Sequence, residues 1–180
     1  PQNPDVVYAV IELDNRKGGL WRSTNRGASW EKRSDAVSGG TGPHYYQELE
    51  ASPHAFDRIY IIDVRMQISD DGGRTFRRMN EKSKHSDNHA LWINPDDSDH
   101  MILGYDHGMG ISYDGGDNWY HPDFQSLAQF YAVGFDNSYP YRVAGGLQDN
   151  GSHMAYSTNP AGGPVYFEQW ERVGGGDGMY

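Results

Sequence analysis

One octapeptide pattern occurs three times in this chain and restricts its fold more than any other feature. The copies are Ser23-Thr24-Asn25-Arg26-Gly27-Ala28-Ser29-Trp30, Ser69-Asp70-Asp71-Gly72-Gly73-Arg74-Thr75-Phe76 and Ser112-Tyr113-Asp114-Gly115-Gly116-Asp117-Asn118-Trp119. Each reads Ser, a variable residue, Asp or Asn, a variable residue, Gly, a variable residue, a small or polar residue, then an aromatic. The serines stand 46 and 43 residues apart. That period suits a four-stranded propeller blade and is too long for leucine-rich or ankyrin repeats. The 23 glycines, 13 tyrosines and 5 tryptophans, with a turn signal every ten residues or so, agree with many short strands.

The strands can be placed around the pattern. Upstream of each copy lies a β-rich run: Val6–Ile11, Arg58–Ile62 and His100–Tyr105, with a fourth at Tyr141–Gly146. Turn clusters rich in Pro, Asn and Asp precede these runs, because Pro presets φ and Asn and Asp side chains stabilise turns. Before three of the clusters stands a further apolar strand, at Tyr45–Leu49, Ala90–Ile93 and Phe130–Phe135. The third blade therefore reads strand 1 at Ala90–Ile93, strand 2 at His100–Tyr105, strand 3 at Met109–Tyr113 and strand 4 at Asn118–His121. In the fourth, an insertion at Ala161–Pro164 precedes a last strand at Tyr166–Arg172. The expected fold is an all-β propeller of four-stranded antiparallel blades, about four of them, within one region 1–180. The approximate blades are 1–40, 41–84, 85–124 and 125–173, and 174–180 begins a further one. The reading expects an arc of a larger ring, whose open edges need further blades or neighbouring subunits to cover them.

Composition removes several classes of function. A formal charge of −10 and a pI near 5.1 argue against nucleic acid, whose phosphates need a basic face. No cysteine is present, so disulfide and thiol chemistry are excluded. No apolar run has the length of a membrane span, so membrane insertion is not expected. No signal peptide precedes Pro1, and the missing initiating Met suggests a mature form or a piece of a longer protein. Gly151-Ser152-His153-Met154 has the look of an expression-tag scar, yet it lies in register with the repeats and is read as native.

Within the repeated pattern, every position has a folding role. The fifth-position glycines, Gly27, Gly73 and Gly116, supply a backbone geometry closed to other residues. The third-position Asn25, Asp71 and Asp114 accept hydrogen bonds from turn amides. The closing Trp30, Phe76 and Trp119 are expected to bury their rings between blades, each contributing roughly 1.5–3 kcal/mol. These residues resemble the Asp box of bacterial-neuraminidase-type repeats, found in sialidases, xyloglucanase-type glycosidases and sortilin-type receptors. Ser23, Ser69 and Ser112 open the three boxes. Asn25 and Ala28-Ser29 depart from the pattern and weaken the first without changing its reading. Segments such as His89–Pro95, Gly145–Ser152 and Val173–Gly178 are similar to large secreted bacterial proteins with sortilin-like propellers. The resemblance covers nearly the whole chain. It implies that the boxes are structural and lie away from any ligand site, and that the protein is secreted, periplasmic or displayed at a cell surface.

Topology then points to a candidate face. In an up-and-down blade the 1–2 and 3–4 turns share one end, and the 2–3 and 4–1 connections share the other. The boxes are 3–4 turns, so a ligand rim falls to the opposite loops. There stand Tyr45, Tyr46, Asp87, His89, His107, Gln148 and Asn150 as candidate ligand contacts. Asp106, Asp149 and Asp177 are the candidate carboxylates if the chain hydrolyses glycosides by paired acid–base work. Sialidase chemistry is disfavoured: it needs clustered arginines for the substrate carboxylate, and of eleven only Arg16 and Arg65 fall in 2–3 loops. His85-x-Asp87-x-His89, alternate residues that share one face of a strand, could bind a metal together with Asp106 and His107. No ligand spacing supports an ion such as calcium, and no cofactor is called for. The leading expectation is a binding or scaffold module for a protein, peptide or glycan. A xyloglucanase-like glycosidase and a structural subunit of an extracellular assembly are the alternatives.

Overall fold

The computed structural model describes residues 2–13, 17–36, 48–122 and 128–179. The chain divides into two compact units, Pro1–Gln125 and Ser126–Tyr180. The described residues are all-β apart from one 3-10 turn, and they contain no helix long and apolar enough to cross a membrane.

The first unit holds three antiparallel meanders. These are β1 (Val7–Leu13), β2 (Lys17–Ser23) and β3 (Glu31–Ser34); β4 (Glu48–Ala51), β5 (Ile59–Ile62), β6 (Gln67–Ser69) and β7 (Arg77–Arg78); and β8 (Asn88–Ile93), β9 (His100–Tyr105) and β10 (Gly108–Tyr113). All four residues of β5, Ile-Tyr-Ile-Ile, are buried. β-Branched and aromatic side chains suit a strand packed on both faces. The core joins the second and third sheets, with Tyr60, Ile62, Met66, Ile68 and Met79 meeting Leu91, Met101, Leu103 and Trp119.

The expected fourth strand of the third sheet, Asn118–His121, shrinks to a single bridge between Ile111 and Tyr120. Two backbone bonds of 2.8 Å make that bridge. Beyond it Pro122 has no N–H to offer the ladder.

In each of the three repeats the serine hydroxyl donates to the third-position side chain and accepts from the fifth-position amide. For Ser112 these distances are 2.8 Å to Asp114 and 2.9 Å from Gly116; for Ser69 they are 2.9 Å to Asp71 and 2.8 Å from Gly73. Asp71 then accepts from the Thr75 amide at 2.9 Å and from its hydroxyl at 2.6 Å. The Asn25 variant closes the same loop with polarity reversed: its Nδ2 donates to Ser29 Oγ at 2.8 Å. Side-chain and backbone bonds from Thr75 hold the Asp71 carboxyl well below the usual carboxylate range, and those from Asn118 lower Asp114.

Each hairpin is tied to its own 1–2 turn. The amides of Arg26, Gly72 and Gly115 donate to the carbonyls of Asp5, Asp57 and Asp99, at 3.0, 2.8 and 3.0 Å. The 1–2 and 3–4 turns therefore share one end of this unit. Neighbouring sheets are locked through the same hairpins. Arg33 Nε donates to Gly72 O at 3.0 Å, and Asn80 Nδ2 donates to Asp117 O at 2.7 Å. Gly73 and Gly116, at φ 84° and 93°, lie so close to Leu20 and Met79 that a Cβ would collide with them. Trp119 is buried as expected, whereas Trp30 remains 44% exposed.

The second unit is one sheet of β11 (Phe130–Phe135), β12 (Arg142–Leu147), β13 (Gly151–Tyr156) and β14 (Glu171–Gly174). The strand expected over Tyr166–Arg172 begins only at Glu171. Before it, Gln169 Oε1 accepts from the Tyr166 amide at 2.9 Å and winds Phe167–Gln169 into the 3-10 turn.

Candidate functional site

At the loop end of the first unit, the connector from Asn80 to Asp87 is fastened to loops of both sheets it joins. The Asp87 amide donates to Val64 O at 3.1 Å, the Asn88 amide to Asp63 O at 3.2 Å, and the Asp106 amide to Asp87 O at 3.1 Å. Ser83 and Asp87 take left-handed backbone at φ 63° and 62°. Asp is among the residues that tolerate this because its side chain bonds locally; Asp87 accepts from Ser86 Oγ.

Under this connector lies an ionic knot absent from the sequence expectations. The Lys84 side chain is fully buried and its ammonium uses all three donors. It donates to Glu81 Oε1 at 2.7 Å, to Asn88 Oδ1 at 2.6 Å and to His85 O at 2.9 Å. Asn88, wholly buried, returns its amide to Glu81 at 2.9 Å and to Asp63 O at 2.8 Å. Burial depresses the Lys84 pKa, and the hydrogen bond and charge of Glu81 oppose that shift. Arg65 reaches the other Glu81 oxygen at 3.6 Å. A lysine in a polar connector, two residues from another, resembles a solvated charge in sequence, and nothing local marked it out.

Above the knot the aromatic groups form a row. The Tyr105 hydroxyl and His121 Nδ1 share a hydrogen bond of 2.7 Å. His121 stacks on His107 with centroids 5.7 Å apart, and His107 lies 5.8 Å from His85. His89 Nε2 donates to Asp106 Oδ1 at 2.5 Å. The structure thus gathers His85, Asp87, His89, Asp106 and His107 at one place, and adds His121.

Among the described residues no three His, Asp or Glu side chains are grouped so as to hold an ion. The alternation that would align His85, Asp87 and His89 fails because β8 begins only at Asn88 and Asp87 turns left-handed.

In the second unit, Asp149 and Asp177 come together for another purpose. Asp177 Oδ1 accepts from the Asp149 amide at 2.7 Å, with Asp149 at φ 59°. Gly151 donates to Gly176 O at 2.8 Å and Gly178 to Leu147 O at 2.9 Å, so residues 176–178 run back along the β12–β13 turn. Asn150 Nδ2 bonds Gln148 O at 3.0 Å. The Gln148 amide donates to Gln129 O at 3.0 Å, repeating the Asp106–Asp87 bond of the first unit. Tyr45 and Tyr46 lie outside the described residues.

No family model and no curated protein sequence matches this chain. Solved structures do match its shape. One is an ancestral GH74 enzyme, 19% identical, aligned over 89% of this chain and 23% of that one, with a TM-score of 0.54. Another is the GH74 enzyme of Niastella koreensis, at 14% identity, 97% and 29% coverage and a TM-score of 0.59. The GH74 xyloglucanase of Xanthomonas campestris gives 14% identity, 99% and 31% coverage and a TM-score of 0.50. These are β-propellers, and the chain has that all-β propeller fold in part. It spans between 23% and 31% of their length.

Proposed function

We propose that the chain is a stretch of an Asp-box propeller that acts as a binding or scaffold module, presenting its 2–3 and 4–1 loops to a protein, peptide or glycan. The observation that carries this reading is the occupation of two of the three candidate carboxylates. Asp106 is held by His89, and Asp177 by the Asp149 amide. A general acid–base pair needs two carboxyl groups addressed to an open groove, roughly 5 to 9.5 Å apart. Exposed imidazoles and a rigid buried support suit recognition instead. The same reading takes the protein to be secreted, periplasmic or held at a cell surface, which fractionation of its native host checks.

The deciding experiment pairs a glycan and peptide binding screen with a hydrolysis panel of xyloglucan, β-glucan and sialosides. Saturable binding without turnover, weakened by His107→Ala, is expected. Turnover lost in Asp106→Asn, Asp149→Asn or Asp177→Asn would instead establish the glycosidase.

A further inference from the structure

At the opposite end of the first unit, among the 1–2 turns, lies a cleft of about 420 Å³ that the rim reading leaves unused. Its walls are mostly apolar, with Trp92 and Phe56 partly exposed and Pro53, Pro95 and Leu91 around them. Of its lining side chains, Glu50 alone is a carboxylic acid, and none is a lysine, arginine or histidine. Glu50 and Glu48 are alternate residues of β4, so they share a face of that strand. Among the described residues no cation pairs with either, and burial together with the Glu48 charge raises the Glu50 pKa. Arg22 stacks on Phe56 at 5.5 Å but is committed to Asp57 at 3.3 Å.

Two polar groups of the cleft are engaged within the chain. Gln2 Nε2 donates to Pro53 O at 3.0 Å, and Asn3 Oδ1 accepts from the Asp5 amide at 3.0 Å. A cation with an apolar stem satisfies every feature. Its charge meets the Glu50 carboxylate, for which no cation among the described residues competes, and an aromatic ring, and its methylenes cover the proline and leucine walls.

We propose that this cleft receives the lysine or arginine side chain of a peptide segment whose flanking residues are apolar. The site is independent of the rim, which stands at the other end of the blades.

The test is calorimetric titration of the intact chain with acetyl-Leu-Lys-Leu-amide and with its norleucine analogue, which has the stem but not the charge. The lysine peptide should bind saturably, roughly tenfold tighter than the norleucine peptide, and weaken with added salt. Glu50→Gln, which keeps the shape, should erase the preference for lysine, and Trp92→Ala should weaken both peptides. Equal affinity for the two peptides, an unchanged preference in Glu50→Gln, or no saturable binding would overturn the proposal. The rim reading would survive any of these results.

Discussion

At the hairpin end of the first unit, Asp71 and Asp114 accept hydrogen bonds from groups no more than four residues away. At the loop end, Asp106 meets a histidine 17 residues distant, and Glu81 gathers Lys84, Asn88 and Arg65 from two separate segments. The two ends use the same residue types. In the hairpins a carboxylate replaces missing backbone partners, so its role is complete inside eight residues. At the rim the carboxylates exist in relation to side chains that only the packed sheets bring near. Local closure makes the hairpins a folding device; long-range assembly makes the loop end depend on how the sheets pack.

The largest test of this contrast is Lys84→Met. It strands Glu81 and Asn88 in a buried site, so a loss of about 3–5 kcal/mol is expected in urea unfolding. Glu81→Gln with Lys84→Met should recover part of it, since the uncompensated charge is then gone. Next comes Gly116→Ala, which puts a side chain at φ 93° against Met79. Strain and overpacking together predict a loss of about 3 kcal/mol. Met79→Ala would relieve the collision but not the backbone strain.

A smaller effect separates charge from shape in the hairpins. Asp71 titrates below its ordinary value when folded, so the stability it contributes is present above the unfolded pKa near ~4 and is lost as pH falls through the folded one. Asp71→Asn should fold, because Asn25 already fills the equivalent place with Nδ2 turned to Ser29. Its acid-unfolding curve should be flatter than the parent curve below about pH 4. The smallest change is expected at the rim: His89→Ala removes a partly exposed pair and should shift stability by no more than about 0.5–1 kcal/mol, while ligand capture falls.

Much of this was legible in the residues. The three octapeptides announced their hairpins, and the Pro- and Asp-rich clusters before Val6, Arg58 and His100 announced the 1–2 turns. Both are local structures, written in residues that touch one another. Trp30 and Trp119 show the limit: they occupy the same position of the pattern, yet one is exposed and one buried. The difference lies in what the neighbouring segment supplies, since Asn80 O accepts from Trp119 Nε1 at 3.2 Å. The strand expected at Asn118–His121 failed for a similar reason, because its end is drawn into the Tyr105–His121 bond and stopped by Pro122.

By itself the sequence determined the repeat, the hairpin chemistry and the end of each blade on which loops gather. Those follow from period, left-handed glycines and side-chain-to-backbone bonds within a few residues. Only the tertiary structure decided which polar groups remained for function. It occupied Asp106 with His89 and Asp177 with the Asp149 amide, buried Lys84, and left Glu50 facing an apolar cleft without a partner among the described residues. Whether a charge is satisfied depends on groups far apart in the chain, and no local pattern records that distance.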